Sequence, residues 1–331
     1  MLKSMLWTLA AAVALTAAAP ARAADETPAQ REYTVGWSVW TGWMPFKLMD
    51  AKGFLAARAG ERGVRVRLVE FKGYMESVQA FSARKLDGCA MTCMEALQPA
   101  GAGVRVEAIL VNDVSCGGDG VLVRKGMKLE DLKGETVLLE QYSVSHYLLT
   151  RALASAGLSE RDVRIRNTPG DDAGKAFLTD DSVRCVVTWN PHLFLAVEGG
   201  KGAVAFDSTR VPGEIVDLLV MNGQELAKDR AVGAALADAW YDAMRFLSDP
   251  RTHEEAVRIM ADGAGASVEQ FEKMLKGTHI FTESKSAAGF LGGPELKATM
   301  SKVKKFSLEH QLIDDDSVEI QLDPSFTAQV K

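Results

Sequence analysis

Val35-Gly36-Trp37-Ser38-Val39-Trp40-Thr41-Gly42-Trp43-Met44-Pro45-Phe46 holds three of the chain's six tryptophans. Ahead of it, Glu32-Tyr33-Thr34-Val35 alternates polar and apolar residues, as a strand entering a core does. Behind it, Phe46 to Arg58 repeats apolar positions at helical spacing. The aromatic run therefore sits where a first strand hands over to a first helix. Open α/β sheets bind ligands outside the carboxyl ends of their strands. This turn is expected to be one wall of a ligand site, with Trp37, nearest the strand end, pointing inward.

The same alternation continues down the chain. Strands are expected at Val64–Val69, Cys89–Met91 and Val106–Val111, with a helix over Tyr74–Leu86. A polar, glycine-rich loop follows at Asn112–Gly120, then a short extended segment at Val121–Arg124. A second α/β block starts at Thr136–Leu139 and continues through a helix at Val144–Ala156 to Ala203–Asp207. Beyond Met221 the pattern is helical, and Val232, Leu236, Ala239, Trp240 and Ala243 mark one face of a long amphipathic helix. Repeated strand–helix units predict mainly parallel sheets.

Composition narrows the function. Met1–Ala23 has a short basic start, an apolar middle and an Ala21-Arg22-Ala23 end, the pattern of a cleavable export signal. Without it the formal charge moves from −6 to −8. An acidic chain with no basic run offers no electrostatic footing to nucleic acid. The remaining length exceeds one ordinary core, so two lobes are expected. Four cysteines, Cys89, Cys93, Cys116 and Cys185, have no zinc-type spacing, and either disulfides or free thiols fit the count. No nucleophile elbow, phosphate loop, metal triad or dinucleotide fingerprint is present, so no catalytic residue, cofactor or metal is expected.

Three runs carry a family resemblance: Gly36-Trp37 with Gly42-Trp43-Met44-Pro45-Phe46, Asp87–Leu97, and Ser143-Val144-Ser145-His146-Tyr147-Leu148-Leu149. With them the chain resembles the solute-binding proteins of ABC importers in the nitrate/sulfonate/taurine-type group, most closely the branch associated with urea carboxylase. That branch's Thr-Asn-Met-Asp-type turn is here Thr92-Cys93-Met94-Glu95. The resemblance implies an α/β, two-lobed periplasmic binding protein fold (type II). Each lobe would be a mainly parallel sheet flanked by helices, with a helical C-terminal completion of the first. Residues 24–122 and 217–331 are expected in lobe one and 123–216 in lobe two, hinged near Val121–Arg124 and Ala203–Asp207, with a third crossing near Val216–Met221. It also implies a periplasmic monomer that delivers a small polar solute to an inner-membrane permease. A urea-, guanidine- or amidine-like compound is implied, with a sulfonate, taurine or nitrate anion as the alternative. Thiamin-pyrimidine synthases share the architecture and are the enzymatic alternative.

The expected ligand-binding residues fall on two sides of a cleft. On the first side are Trp37, Trp40, Trp43, Thr92, Glu95 and Asp119. Tryptophan faces attract cations at about 0.5–2 kcal/mol each, and buried carboxylates want a positive partner. The competing readings are core packing for one or more tryptophans, a helix first turn for Glu95 and a loop position for Asp119. On the second side are Ser143, Ser145, His146, Trp189 and Asn190. Ser143 is expected to cap its helix, whose free N–H groups could hold an acceptor oxygen.

Overall fold

Tyr33, Val35 and Trp37 are all buried in strand β1 (Glu32–Ser38), from which the first sheet is built outward. The computed structural model describes residues 31–330, so the expected export signal Met1–Ala23 lies outside the described residues. β2 (Arg65–Phe71) and β3 (Gly88–Thr92) pair with β1 in parallel on its two sides. β4 (Val106–Ser115) then leads directly out of this sheet.

β5 (Asp119–Arg124), β6 (Thr136–Leu139), β7 (Arg164–Asn167), β8 (Cys185–Trp189) and β9 (Gly202–Asp207) form a second sheet in the order β7-β6-β8-β5-β9. β10 (Val216–Asn222), β11 (Thr278–Ile280) and β12 (Gln321–Leu322) return to the first, giving β11-β4-β10-β3-β1-β2 with β12 against β4. Helices cover both sheets. The long helix Ala231–Ser248 buries the expected stripe, with Trp240 against Phe46 at a ring separation of 5.0 Å.

Two expectations change. The sheets are mixed rather than mainly parallel: β10 runs antiparallel to β3 and β4, and β5 antiparallel to β8 and β9. β5 and β10 are the strands that carry the chain into and out of the second sheet, so each enters against the local direction. The crossings also fall in the segments next to the expected ones. Val121–Arg124, Ala203–Asp207 and Val216–Met221 are all paired strand, and the chain passes between sheets at 116–118 and 208–215. There the Ser208 hydroxyl lies 2.8 Å from Ser115 Oγ and accepts the Gly117 N–H at 2.6 Å, pinning one crossing to the other.

Asn112–Gly120 is shorter as a loop than its composition suggests. β4 runs on through Ser115 and β5 begins at Asp119, leaving 116–118 between them. The polar end of β4 is buried because cross-strand pairing with β10 and β11 satisfies its backbone. All four cysteines are free: Cys89, Cys93 and Cys185 are buried as small core residues, and Cys116 is exposed.

Candidate functional site

Strand ends from both sheets converge on one narrow cavity. Ser38 ends β1, Thr92 ends β3 and Trp189 ends β8, while Tyr74 opens the helix after β2. Asp119 and Asp217 come from the starts of strands that run the opposite way, so they reach the same edge. Trp40, Trp43, Val144 and Ile215 complete the lining. None of these residues is basic.

Aromatic rings make most of the wall. Trp43 and Tyr74 lie 5.5 Å apart between centroids, and Tyr74 meets Trp189 edge-on at 5.9 Å. Trp189 also donates its indole N–H to the Val39 carbonyl at 3.3 Å, tying the second sheet to the turn after β1. Trp40 is held by its own N–H, which donates to Asp113 at 3.1 Å. Asp113 takes a second hydrogen bond, 2.6 Å long, from the Thr278 hydroxyl. Gly42 makes room for that carboxylate: a Cβ there would stand 2.0 Å from Asp113 Oδ2. Gly118 does the same for the Trp40 ring, which a Cβ would meet at 2.4 Å.

Trp37 is not part of the wall. Successive strand side chains point to opposite faces, and Ser38 takes the cavity side. Trp37 packs behind it against Phe46, with ring centroids 6.0 Å apart.

The carboxylates form a buried group of like charge. Antiparallel register sets Thr92, Asp217 and Asp113 in one row across β3, β10 and β4. Burial raises Asp217 well above the usual carboxylate range, and the charges of Asp113 and Asp119 raise it further. Burial likewise pushes Asp119 up to about 7, against a hydrogen bond from Ser115. At the outer rim, burial pushes Glu140 up to about 7, and its Oε2 has no hydrogen-bond partner among the described residues. These groups are short of positive charge. Glu214, in contrast, ends below its ordinary value despite burial, because Lys302, Tyr147 and Arg151 surround it.

The start of helix Val144–Ser155 is already occupied. Glu95, from beside the first sheet, accepts the Val144 N–H at 2.6 Å and a hydrogen bond from the Thr92 hydroxyl. Ser143 caps the helix by accepting the Ser145 N–H at 3.2 Å and donates to the Glu140 carbonyl at 2.7 Å. The chain's own carboxylate thus sits where the expected acceptor oxygen of a ligand would go. Glu95, Ser143 and Ser145 support the cavity from behind without lining it.

His146 and Asn190 also stand off the cavity. His146 turns toward Glu160 and His310, and Asn190 Oδ1 accepts the Phe194 N–H at 3.1 Å. Of the expected site residues, Trp40, Trp43, Thr92, Asp119 and Trp189 are brought together. Ser38, Tyr74, Val144 and Ile215 join them, and so does Asp217, an acid whose place at the return crossing near Val216–Met221 already gives it a weaker claim in the sequence. Tyr74 carried a readable signal, an aromatic residue directly after Gly73 at a strand end.

Residues 26–261 match the family model described as NMT1-like family. The chain belongs to the NMT1-like family. No curated protein sequence matches it. Among solved structures, this NMT1-like chain is similar to the periplasmic aliphatic sulphonate binding protein SsuA from Escherichia coli. The TM-score is 0.69 at 20% identity, over 86% of this chain and 89% of that one. The periplasmic nitrate-binding protein NrtA from Synechocystis PCC 6803 gives 0.61 at 11% identity, over 92% and 99%. The desulfurization enzyme DSZB gives 0.65 at 13% identity, over 89% and 98%. These likenesses carry the fold, a two-lobed periplasmic binding protein architecture that also houses an enzyme.

Proposed function

We propose that this NMT1-like protein is the periplasmic solute-binding component of an ABC importer. It closes two lobes, one around each sheet, over a small nitrogen-containing cation of the guanidinium or amidinium class. It then hands the solute unchanged to an inner-membrane permease, working as a monomer without catalysis. The observation that carries this reading is the cavity itself. Trp40, Trp43, Tyr74 and Trp189 surround Asp119 and Asp217, with no basic side chain among the lining residues.

Planar delocalised cations stack on such rings and donate to carboxylates, and desolvation strengthens both interactions. A sulfonate or nitrate would instead require Asp119 and Asp217 to stay protonated beside it, and the helix start that could receive its oxygen already holds Glu95. A neutral amide such as urea keeps the N–H donors of this class but forgoes the charge, so it should bind more weakly. The resemblance to the urea-carboxylase-associated branch supports the same chemical class.

A thermal-shift panel of guanidine, acetamidine, urea, taurine, an alkanesulfonate and nitrate tests the proposal. Guanidine or acetamidine should give the largest rise in unfolding midpoint, with urea behind. A rise with the anions alone overturns it. Recovery of the bound compound with altered mass would overturn the non-catalytic part.

A further inference from the structure

His146 and Glu160, 14 residues apart, meet His310, a further 150 residues along the chain, at the start of helix Val144–Ser155, and none of the three lines the cavity. One donor atom from each lies within 4.8 Å of the other two. His146 Nε2 is 3.3 Å from Glu160 Oε2, and His310 Nε2 is 2.9 Å from Glu160 Oε1. We propose that this cluster is a binding site for a divalent transition-metal ion of the zinc class, placed to clasp the two lobes together.

The chemistry of the donors suits such an ion. Two imidazoles and one carboxylate are the set zinc takes when a fourth position is left to water. Bonds of about 2.0–2.1 Å hold tetrahedral donors roughly 3.3–3.4 Å apart. The two histidine–Glu160 spacings are already close to that, and the two imidazoles would draw together around the ion. His310 Nδ1 lies 2.9 Å from the Phe306 carbonyl and donates to it, which fixes the ring so that Nε2, now donating to Glu160 Oε1, can lose its proton to an arriving ion and coordinate it. His146 gives up its present contacts: its Nδ1 accepts the Tyr142 N–H at 3.3 Å and its Nε2 proton faces Glu160, and coordination through Nε2 moves that proton to Nδ1. The Phe306 ring stacks on His310 at 4.0 Å and meets His146 edge-on at 5.4 Å, so both imidazoles are held in place before an ion arrives. Glu160 is about one third exposed, which leaves a path for the ion and room for water.

The three donors come from both sides of the cleft. His146 and Glu160 belong to the second-sheet unit. His310 caps the helix Pro294–Glu309, whose Leu296, Val303 and Phe306 pack in the first core. An ion here joins those two units at a point the solute does not touch, and so favours the closed arrangement.

The test uses the chelator-treated, untagged chain with Cys116→Ser to remove the exposed thiol, titrated with zinc chloride by calorimetry. One zinc per chain is expected, with affinity at least tenfold weaker in Glu160→Gln and in His310→Gln. His253→Gln, in a separate histidine–carboxylate pair with Glu272, should leave it unchanged. Cobalt(II) should give tetrahedral visible bands in the parent and none in the two site variants. Absence of one-to-one binding in the parent, or zinc affinity and cobalt bands that survive both site variants, overturns the proposal. The two variants change side chains on different elements, so the failure of one to fold leaves the other to decide.

Discussion

Replacing Asp119 by Asn should make the ligand-free protein more stable at pH 8 and nearly blind to guanidinium. Asp119 is buried, with its carboxyl pushed up to about 7 from an ordinary value of 3.8. A group whose folded value is raised contributes stability in full below the unfolded value, and that stability is lost as pH climbs through the folded value. The window therefore runs from about pH 4 to about pH 7. A shift of some three units corresponds to ~4 kcal/mol, at about 1.36 kcal/mol per unit. This is a ceiling, because opening of the cleft rehydrates the carboxylate. Asparagine keeps the shape and never ionises, so at pH 8 it should recover part of that amount. At pH 4 the two proteins should unfold at nearly the same midpoint.

Affinity moves the other way. A unit charge about 4 Å from a carboxylate at an effective dielectric of about 20 gains about 4 kcal/mol. Half to all of that corresponds to a loss of roughly 30- to 1000-fold. Thermal unfolding of parent and variant at pH 4 and pH 8, with and without guanidine, measures both effects. If Asp119→Asn unfolds earlier than the parent at pH 8, or keeps its guanidine response, the account of Asp119 as an uncompensated charge is wrong.

Four further outcomes follow from the same geometry. Affinity for guanidinium should rise as pH climbs through about 7, where Asp119 ionises, by up to tenfold per unit below that point; calorimetry at pH 5.5 to 8.5 reads it, and a flat profile counts against a cationic ligand. Trp40→Phe removes the indole N–H from buried Asp113 and should lower stability by about 1–3 kcal/mol, measured by urea unfolding. Gly42→Ala drives a methyl group into the same carboxylate and should cost about 1–3 kcal/mol or abolish soluble expression. Glu95→Ala leaves the Val144 N–H without its partner and should weaken solute binding through the closed form, seen as faster dissociation in stopped-flow tryptophan fluorescence.

How far the site was legible depended on the range of the interaction. Trp40 and Trp43 could be placed at the cleft because a strand-to-helix turn is a local pattern. Trp37 packs behind this cavity because facing alternates at every strand residue, and the sequence pattern does not tell which of Trp37 and Ser38 holds the inward position. Asp217 joins Asp113 through the register of β4 and β10, which no periodicity reveals. The mixed direction of the sheets has the same origin, since helical and strand periods say nothing about which way a distant strand runs. Glu95 could be read as an acid near the cleft, but its partner is a helix start on the other side. His146 looked like a cleft residue from its helix position, whereas its ring points to Glu160 and His310.

The electrostatic arrangement bears on how closure can be coupled to solute. Bringing the sheets together removes water from Asp119 and Asp217 while Asp113 already lies beside Asp217, and among the described residues no cationic side chain lines the cavity with them. Closure without solute is therefore opposed by desolvation and mutual repulsion, or must take up protons. It is favoured by the aromatic contacts of Trp189 with Tyr74 and by the bonds from Val144 to Glu95 and from Trp189 to Val39. A cation between the rings cancels the opposing part and leaves the favourable part unchanged. Its differential affinity for the closed form is then largely its charge. Such a design discriminates by sign before it discriminates by shape. A neutral solute of the right outline would fill the cavity without relieving the repulsion, and an anion would add to it. On this reasoning Asp119→Asn should narrow the gap between guanidine and urea, because removing the charge that must be cancelled removes most of what separates them.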